Sequence, residues 1–174
     1  MEYVLQQIQS RKQEIAYILM GNFCLIFCSF IWIPTTPVPI TLQTFALFIL
    51  ALTLPPRVCL LSTLLYLFEA TVGLPVLGTV HPLWFLGPCA GYLFAFPIAS
   101  FVMSQIAYNR SSMIMQAFAL LSGLAIIYGL GFFVLSGFVG AATAFHSGVL
   151  FFVHIDLIKI ALAITIIRSF KHVG

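Results

Sequence analysis

Charge is what this 174-residue chain has least of: seven Lys and Arg and four Asp and Glu, 6% of residues, where a water-soluble domain carries about 25%. With 62% hydrophobic residues it cannot cover a water-facing surface. Chemical motifs are missing too. There is no GxxxxGK[ST] loop to cradle phosphates, no C-x-x-C, no H-E-x-x-H and no nucleophile beside a base. These absences argue against a nucleotide-hydrolysing domain, a zinc hydrolase and any other enzyme, and coupling to ATP must come from another chain. The net charge of +3 reflects a few basic residues at the ends of apolar runs and points to no nucleic acid.

What remains is apolar length. Runs at 15–33, 41–54, 58–71, 87–108, 113–139 and 147–167 predict a six-transmembrane-helix bundle, an all-α integral membrane protein with a single membrane domain over 1–174. The second and third runs are short and joined by Pro55, Pro56 and Arg57. The first run lacks a small-x-small cleavage site and reads as a retained helix, not a signal peptide. Ahead of it, Tyr3, Val4, Leu5 and Ile8 are spaced as in a short interfacial helix. Cys24, Cys28, Cys59 and Cys89 sit in or beside apolar segments and read as small buried hydrophobes.

The basic residues alternate along the chain. Arg11 and Lys12 precede the first helix, Arg57 and Arg110 lie in the second and fourth connections, and Arg168 and Lys171 follow the last helix. Connections 34–40, 72–86 and 140–146 hold no Lys or Arg. The positive-inside rule therefore places both termini in the cytoplasm of a multi-pass protein. The outer connections are distinctive: 34–39 carries three prolines, and 72–86 is apolar enough to fold back on the helices as a lid or plug. The binding site is expected to open outward.

Asp156 and Lys159 break the apolar pattern of the last helix, three residues apart and on one face. An ionisable group at membrane depth costs several kcal/mol unless paired or facing a cavity, so the pair marks a site for a polar ligand. The competing reading is a pair that neutralises itself and joins two helices. Counted from Ser147, Asp156 lies about 13 Å along the helix, in the outer half of the membrane. Other candidates cluster at the same end. LGPCAGYLFAF opens the fourth helix with Gly87, Pro88, Gly91 and Tyr92, where small residues and free N–H groups suit a carboxylate or close helix packing. Gln43 and Thr41 begin the second helix. Tyr66 offers a ring and a hydroxyl, and Glu69 lines the same cavity, pairs with Lys159 or emerges at the interface. His81, His146 and His154 are too scattered to suggest a metal, and Ser62, Ser100 and Ser122 read as helix-packing residues.

Taken in order, VPITLQTFALFILALTLPPR, YLFEATVGLPVLG, LGPCAGYLFAF, GLAIIYGLG and FFVHIDLIKIALA resemble the BioY family, the biotin-binding S component of energy-coupling factor (ECF) transporters. The resemblance covers most of the chain from Val38 onward. It implies a protein of the bacterial cytoplasmic membrane that captures biotin from outside with high affinity, as its transported ligand and not as a cofactor. It also implies lateral docking on a membrane coupling subunit with two ATPase subunits. Asp156 and Lys159 match the family's D-x-x-K pair and should meet the polar groups of biotin. Asp156 would accept from a ureido N–H, and Lys159 would reach either the ureido oxygen or the valerate carboxylate. Gly87, Pro88, Gly91 and Tyr92 match the family's GP-x-x-GY element. The chain departs from the pattern at Cys89 and Ala90, in place of Thr-Gly, and at Glu69 and Ala70. Rival readings are an S component for another vitamin and a structural membrane protein.

Overall fold

In lipid a backbone must satisfy its own N–H and C=O groups, and the apolar runs do so as helices. The computed structural model describes residues 2–78 and 83–173, with side chains described at 10–78 and 83–170; His81 lies outside them. The elements run α1 (Glu2–Ser29), β1 (Trp32–Ile33), β2 (Ile40–Thr41), α2 (Gln43–Thr53), α3 (Pro56–Thr71), a 3-10 turn (Trp84–Leu86), α4 (Ala90–Ala107), α5 (Met113–Val139), α6 (Ala141–Phe145), a π-helical turn (His146–Leu150) and α7 (Phe151–Val173). Among the described residues, three stretches are long and apolar enough to cross a bilayer: Ala90–Ala107, Met113–Val139 and Ala141–Phe170.

Several boundaries differ from the sequence reading. α1 begins at Glu2, so the segment ahead of residue 15 continues the first helix instead of forming a separate one. It ends at Ser29 and not at 33, because Trp32 and Ile33 pair antiparallel with Thr41 and Ile40. The prolines between them cannot continue a helix and are instead held in a tight connection by this two-residue ladder. α2 accordingly starts at Gln43 and spans only about 16 Å. Its successor α3 opens with Pro56 in the first turn, where a missing N–H is harmless. α5 occupies the expected 113–139. Ser112 caps its start by accepting from the Met115 N–H, and Gly140, at φ +80°, ends it in a conformation that suits glycine.

The largest difference lies at the last helix. It begins at Ala141, not 147, and runs through the π turn into α7 as one rod. Asp156 is therefore roughly 22 Å along the rod from its first residue. α4 is the central element, with 67% of its 18 residues buried against 39% of an apolar 18-residue stretch in each of the other two. It packs on α2, α3 and α5, while α2 also contacts α7. Within it, Pro97 removes the helical bond to the Leu93 carbonyl. On α1, Ile15, Leu19, Phe23 and Phe27 are exposed at four-residue spacing, a stripe suited to lipid and not to water. Val76, Leu77 and Trp84 are buried, so the described residues of the 72–86 connection fold back on the helices at these positions. The Val76 carbonyl is fixed there by the Ser29 hydroxyl at 2.6 Å and the Tyr66 hydroxyl at 3.2 Å.

Candidate functional site

Four elements and one connection enclose a cavity. α2 contributes Gln43 and Thr44, α4 contributes Tyr92, Leu93 and Phe96 with Cys89 just ahead of it, α5 contributes Ile127 and Tyr128, and α7 contributes Phe152, Asp156 and Lys159. Val38, Pro39 and Thr41 close it from the connection between α1 and α2. It holds about 570 Å³ of empty space counted out to its mouth, of which the centre of a water molecule reaches about 60 Å³. Among the described residues, none from the 72–86 connection lines this cavity. The proline segment, whose position the hairpin sets, borders the cavity on this side.

The charged pair forms the polar floor. Asp156 is 2% exposed and Lys159 8%. The ammonium of Lys159 donates to Asp156 Oδ1 at 2.8 Å, to the Thr44 hydroxyl at 2.8 Å and to the Thr41 carbonyl at 2.9 Å. An ammonium has three donors, so all are engaged. The Thr44 hydroxyl donates a hydrogen bond to Asp156 Oδ1 at 2.9 Å, and the Tyr128 hydroxyl donates to Oδ2 at 2.7 Å. A carboxylate offers about four acceptor positions, which leaves one on Oδ2. The pair is thus neutral, solvated by side chains in place of water, and still able to accept one more N–H.

Gln43 completes the polar wall. Its amide nitrogen donates to the Tyr66 hydroxyl, and its oxygen accepts from the Thr41 hydroxyl at 2.9 Å. Tyr66 is fully buried behind Gln43 and orients it without lining the cavity. Tyr92 presents its ring to the cavity while its hydroxyl donates to the Gly148 carbonyl at 2.9 Å. Side chains at Gly131 or Gly148 would collide with this tyrosine, so both glycines make room for it.

The structure therefore brings Thr41, Gln43, Tyr92, Asp156 and Lys159 together around one space and places Gly87, Gly91, Tyr66 and Glu69 elsewhere. Gly91 faces α5, where a Cβ would strike the Leu130 carbonyl and the Val134 side chain; it serves close helix packing. Gly87 ends the 3-10 turn, its N–H bonded to the Trp84 carbonyl at 3.1 Å, so α4 opens at Ala90 and not at 87. Glu69 pairs with the Asn22 amide of α1 at 2.9 and 3.0 Å and does not reach Lys159. Thr44 and Tyr128 are the residues the sequence reading passed over, although VPITLQT and GLAIIYGLG contain them. His146 and His154 do not gather into a metal cluster, and no group of three or more His, Cys, Asp or Glu occurs among the described residues. The four cysteines are free.

Comparison with known proteins gives consistent matches. The BioY family model matches residues 5–174. A probable biotin transporter BioY of Pyrococcus horikoshii is 38% identical over 75% of this chain and 78% of its own length. A biotin transporter BioY of Thermotoga maritima is 36% identical over 82% and 86%. The crystal structure of the S-component for biotin from an ECF-type ABC transporter superposes with a TM-score of 0.83 at 26% identity, covering 95% of this chain and 94% of that one.

Proposed function

The chain belongs to the BioY family, and on that ground we propose that it captures biotin in the cavity floored by Asp156 and Lys159. It acts as the substrate-specific subunit of an ATP-driven ECF transporter in a bacterial cytoplasmic membrane. Its six spans, with the last formed by α6, the π turn and α7, leave both termini in the cytoplasm, following the alternation of basic residues. The cavity then opens to the outside beneath the proline segment. The coupling and ATPase subunits are supplied by other chains.

The observation that carries this reading is a buried ion pair, with one acceptor position of Asp156 still open, lining an otherwise largely apolar cavity. Biotin has matching chemistry. Its ureido N–H suits the open acceptor on Asp156 Oδ2, and its ureido oxygen can replace the Thr41 carbonyl as a partner of Lys159. Its thioether bicycle fits between Phe96, Ile127 and Phe152. Tyr92 and Gln43 border the ligand, and Thr44 and Tyr128 hold the pair in position. Equilibrium binding of labelled biotin to detergent-purified protein tests the assignment. Saturable binding displaced by biotin alone supports it. Displacement by thiamine or riboflavin would make the protein an S component for another vitamin, and no binding of any of them would leave the pair a structural device.

A further inference from the structure

The last rod keeps one face inward in a way that a plain α-helix cannot. Ala144, Gly148, Phe152 and Asp156 are all buried, at strict four-residue steps. An α-helix overshoots a full turn by about 40° at each such step, so three steps would swing Asp156 about 120° from the face of Ala144. The π turn absorbs that excess. In it the Phe151 N–H reaches back five residues to the His146 carbonyl, so the turn holds one residue more than an α turn. With that residue discounted, Ala144 and Asp156 lie within about 20° of each other around the rod.

A π turn is a rare element, and here a bond from another helix lies within it. The Tyr92 hydroxyl of α4 donates to the Gly148 carbonyl at 2.9 Å. We propose that Tyr92 is a positioning residue: its hydroxyl holds the π turn, and the π turn keeps Asp156 and Lys159 facing the cavity. The binding arms of its test rest on the biotin reading above.

Tyr92 is itself firmly seated. It is 9% exposed, with Gly131 of α5 on one flank and Gly148 on the other, and a Cβ at either glycine would collide with it. Its proton is spent on Gly148 and not on the charged pair. Its influence on Asp156 therefore travels along the continuous helix from Gly148. The ring forms cavity wall and the hydroxyl sets the rod, so the two roles can be separated by experiment.

Tyr92→Phe keeps the ring in its slot and removes only the bond to Gly148. It should weaken biotin binding by the purified protein about tenfold, the size of one buried hydrogen bond. Deleting Leu150, an exposed residue of the π turn, lets the rod close as plain α-helix with Asp156 still inward. That deletion should bind biotin within about threefold of the parent, and adding Tyr92→Phe to it should cost no more than about twofold, since no π turn is left to hold. Parent-like binding by Tyr92→Phe, or an undiminished tenfold loss in the deleted background, would overturn the assignment. If the deletion fails to fold, Tyr92→Phe combined with Tyr128→Phe decides. Both act on the placement of Asp156, so together they should fall well short of the roughly hundredfold loss of independent sites, and a full hundredfold would overturn it. Without any ligand, amide exchange over 146–152 should quicken about tenfold in Tyr92→Phe. Unchanged exchange would overturn the assignment whatever the ligand is. A parent that binds no biotin while exchange quickens as expected would bring down the biotin reading alone.

Discussion

The Tyr128 hydroxyl donates to Asp156 Oδ2 at 2.7 Å, joining α5 to α7 through the one carboxylate oxygen that Lys159 does not occupy. That contact does two things. It helps solvate a buried carboxylate, and it fixes the orientation of the oxygen left open to a ligand N–H. Hydrogen bonds to a charged group contribute about 1.5–3 kcal/mol. Tyr128→Phe should therefore weaken biotin binding by about tenfold or more while the protein remains folded. Isothermal titration with biotin, alongside a thermal unfolding curve, checks it; unchanged affinity would confine Tyr128 to packing.

Asp156 and Lys159 neutralise each other, so removing one charge strands the other. Breaking a buried pair from one side costs about 3–5 kcal/mol, whereas replacing both charges is often tolerated. Asp156→Asn and Lys159→Met should each lower thermal stability, and the double variant should recover most of that loss. None of the three should bind biotin as the parent does. Recovery of binding together with stability in the double variant would show that the pair only holds helices together.

Orientation is open to chemical labelling. Thr143 on α6 and Ser111 between α4 and α5 are both exposed, and the Ser111 carbonyl accepts from Arg168 at 2.9 Å, at the end where the basic residues gather. In a background freed of its four cysteines, Thr143→Cys should react with a membrane-impermeant thiol reagent in intact cells and Ser111→Cys should not. The reverse pattern would invert the topology and turn the cavity to the cytoplasm.

The charged pair was legible in the sequence because Asp and Lys in an apolar run need a reason, and α5 because a long apolar run ends in glycine. Thr44 and Tyr128 carried no such signal. Threonine and tyrosine are ordinary in apolar helices, and only the packing of α2 and α5 against α7 turns them toward Asp156. The early start of the last helix was hidden because 140–146 read as a connection, with the helix beginning at Ser147. Gly148 is needed within the rod, since a side chain there would meet the Tyr92 hydroxyl. The hairpin of Trp32 and Thr41 was equally hidden, because two-residue strands leave no period to detect.

Energy for uptake must come from elsewhere, for reasons visible in the acidic residues. Proton-driven transporters carry chains of ionisable groups through the membrane. Here Glu14 faces Arg57 at 3.3 Å, Glu69 is held by Asn22, and Asp156 is locked to Lys159; these acids belong to three separate clusters. The sequence also lacks a phosphate-binding loop. Biotin binding should accordingly need no ATP, and the protein reconstituted alone in liposomes should bring internal biotin no higher than the external concentration, with or without a pH step. Adding a coupling subunit and ATPases that recognise it should make uptake concentrative and ATP-dependent. Accumulation against a gradient by the protein alone, driven by the pH step, would identify a secondary transporter and remove the need for partner chains.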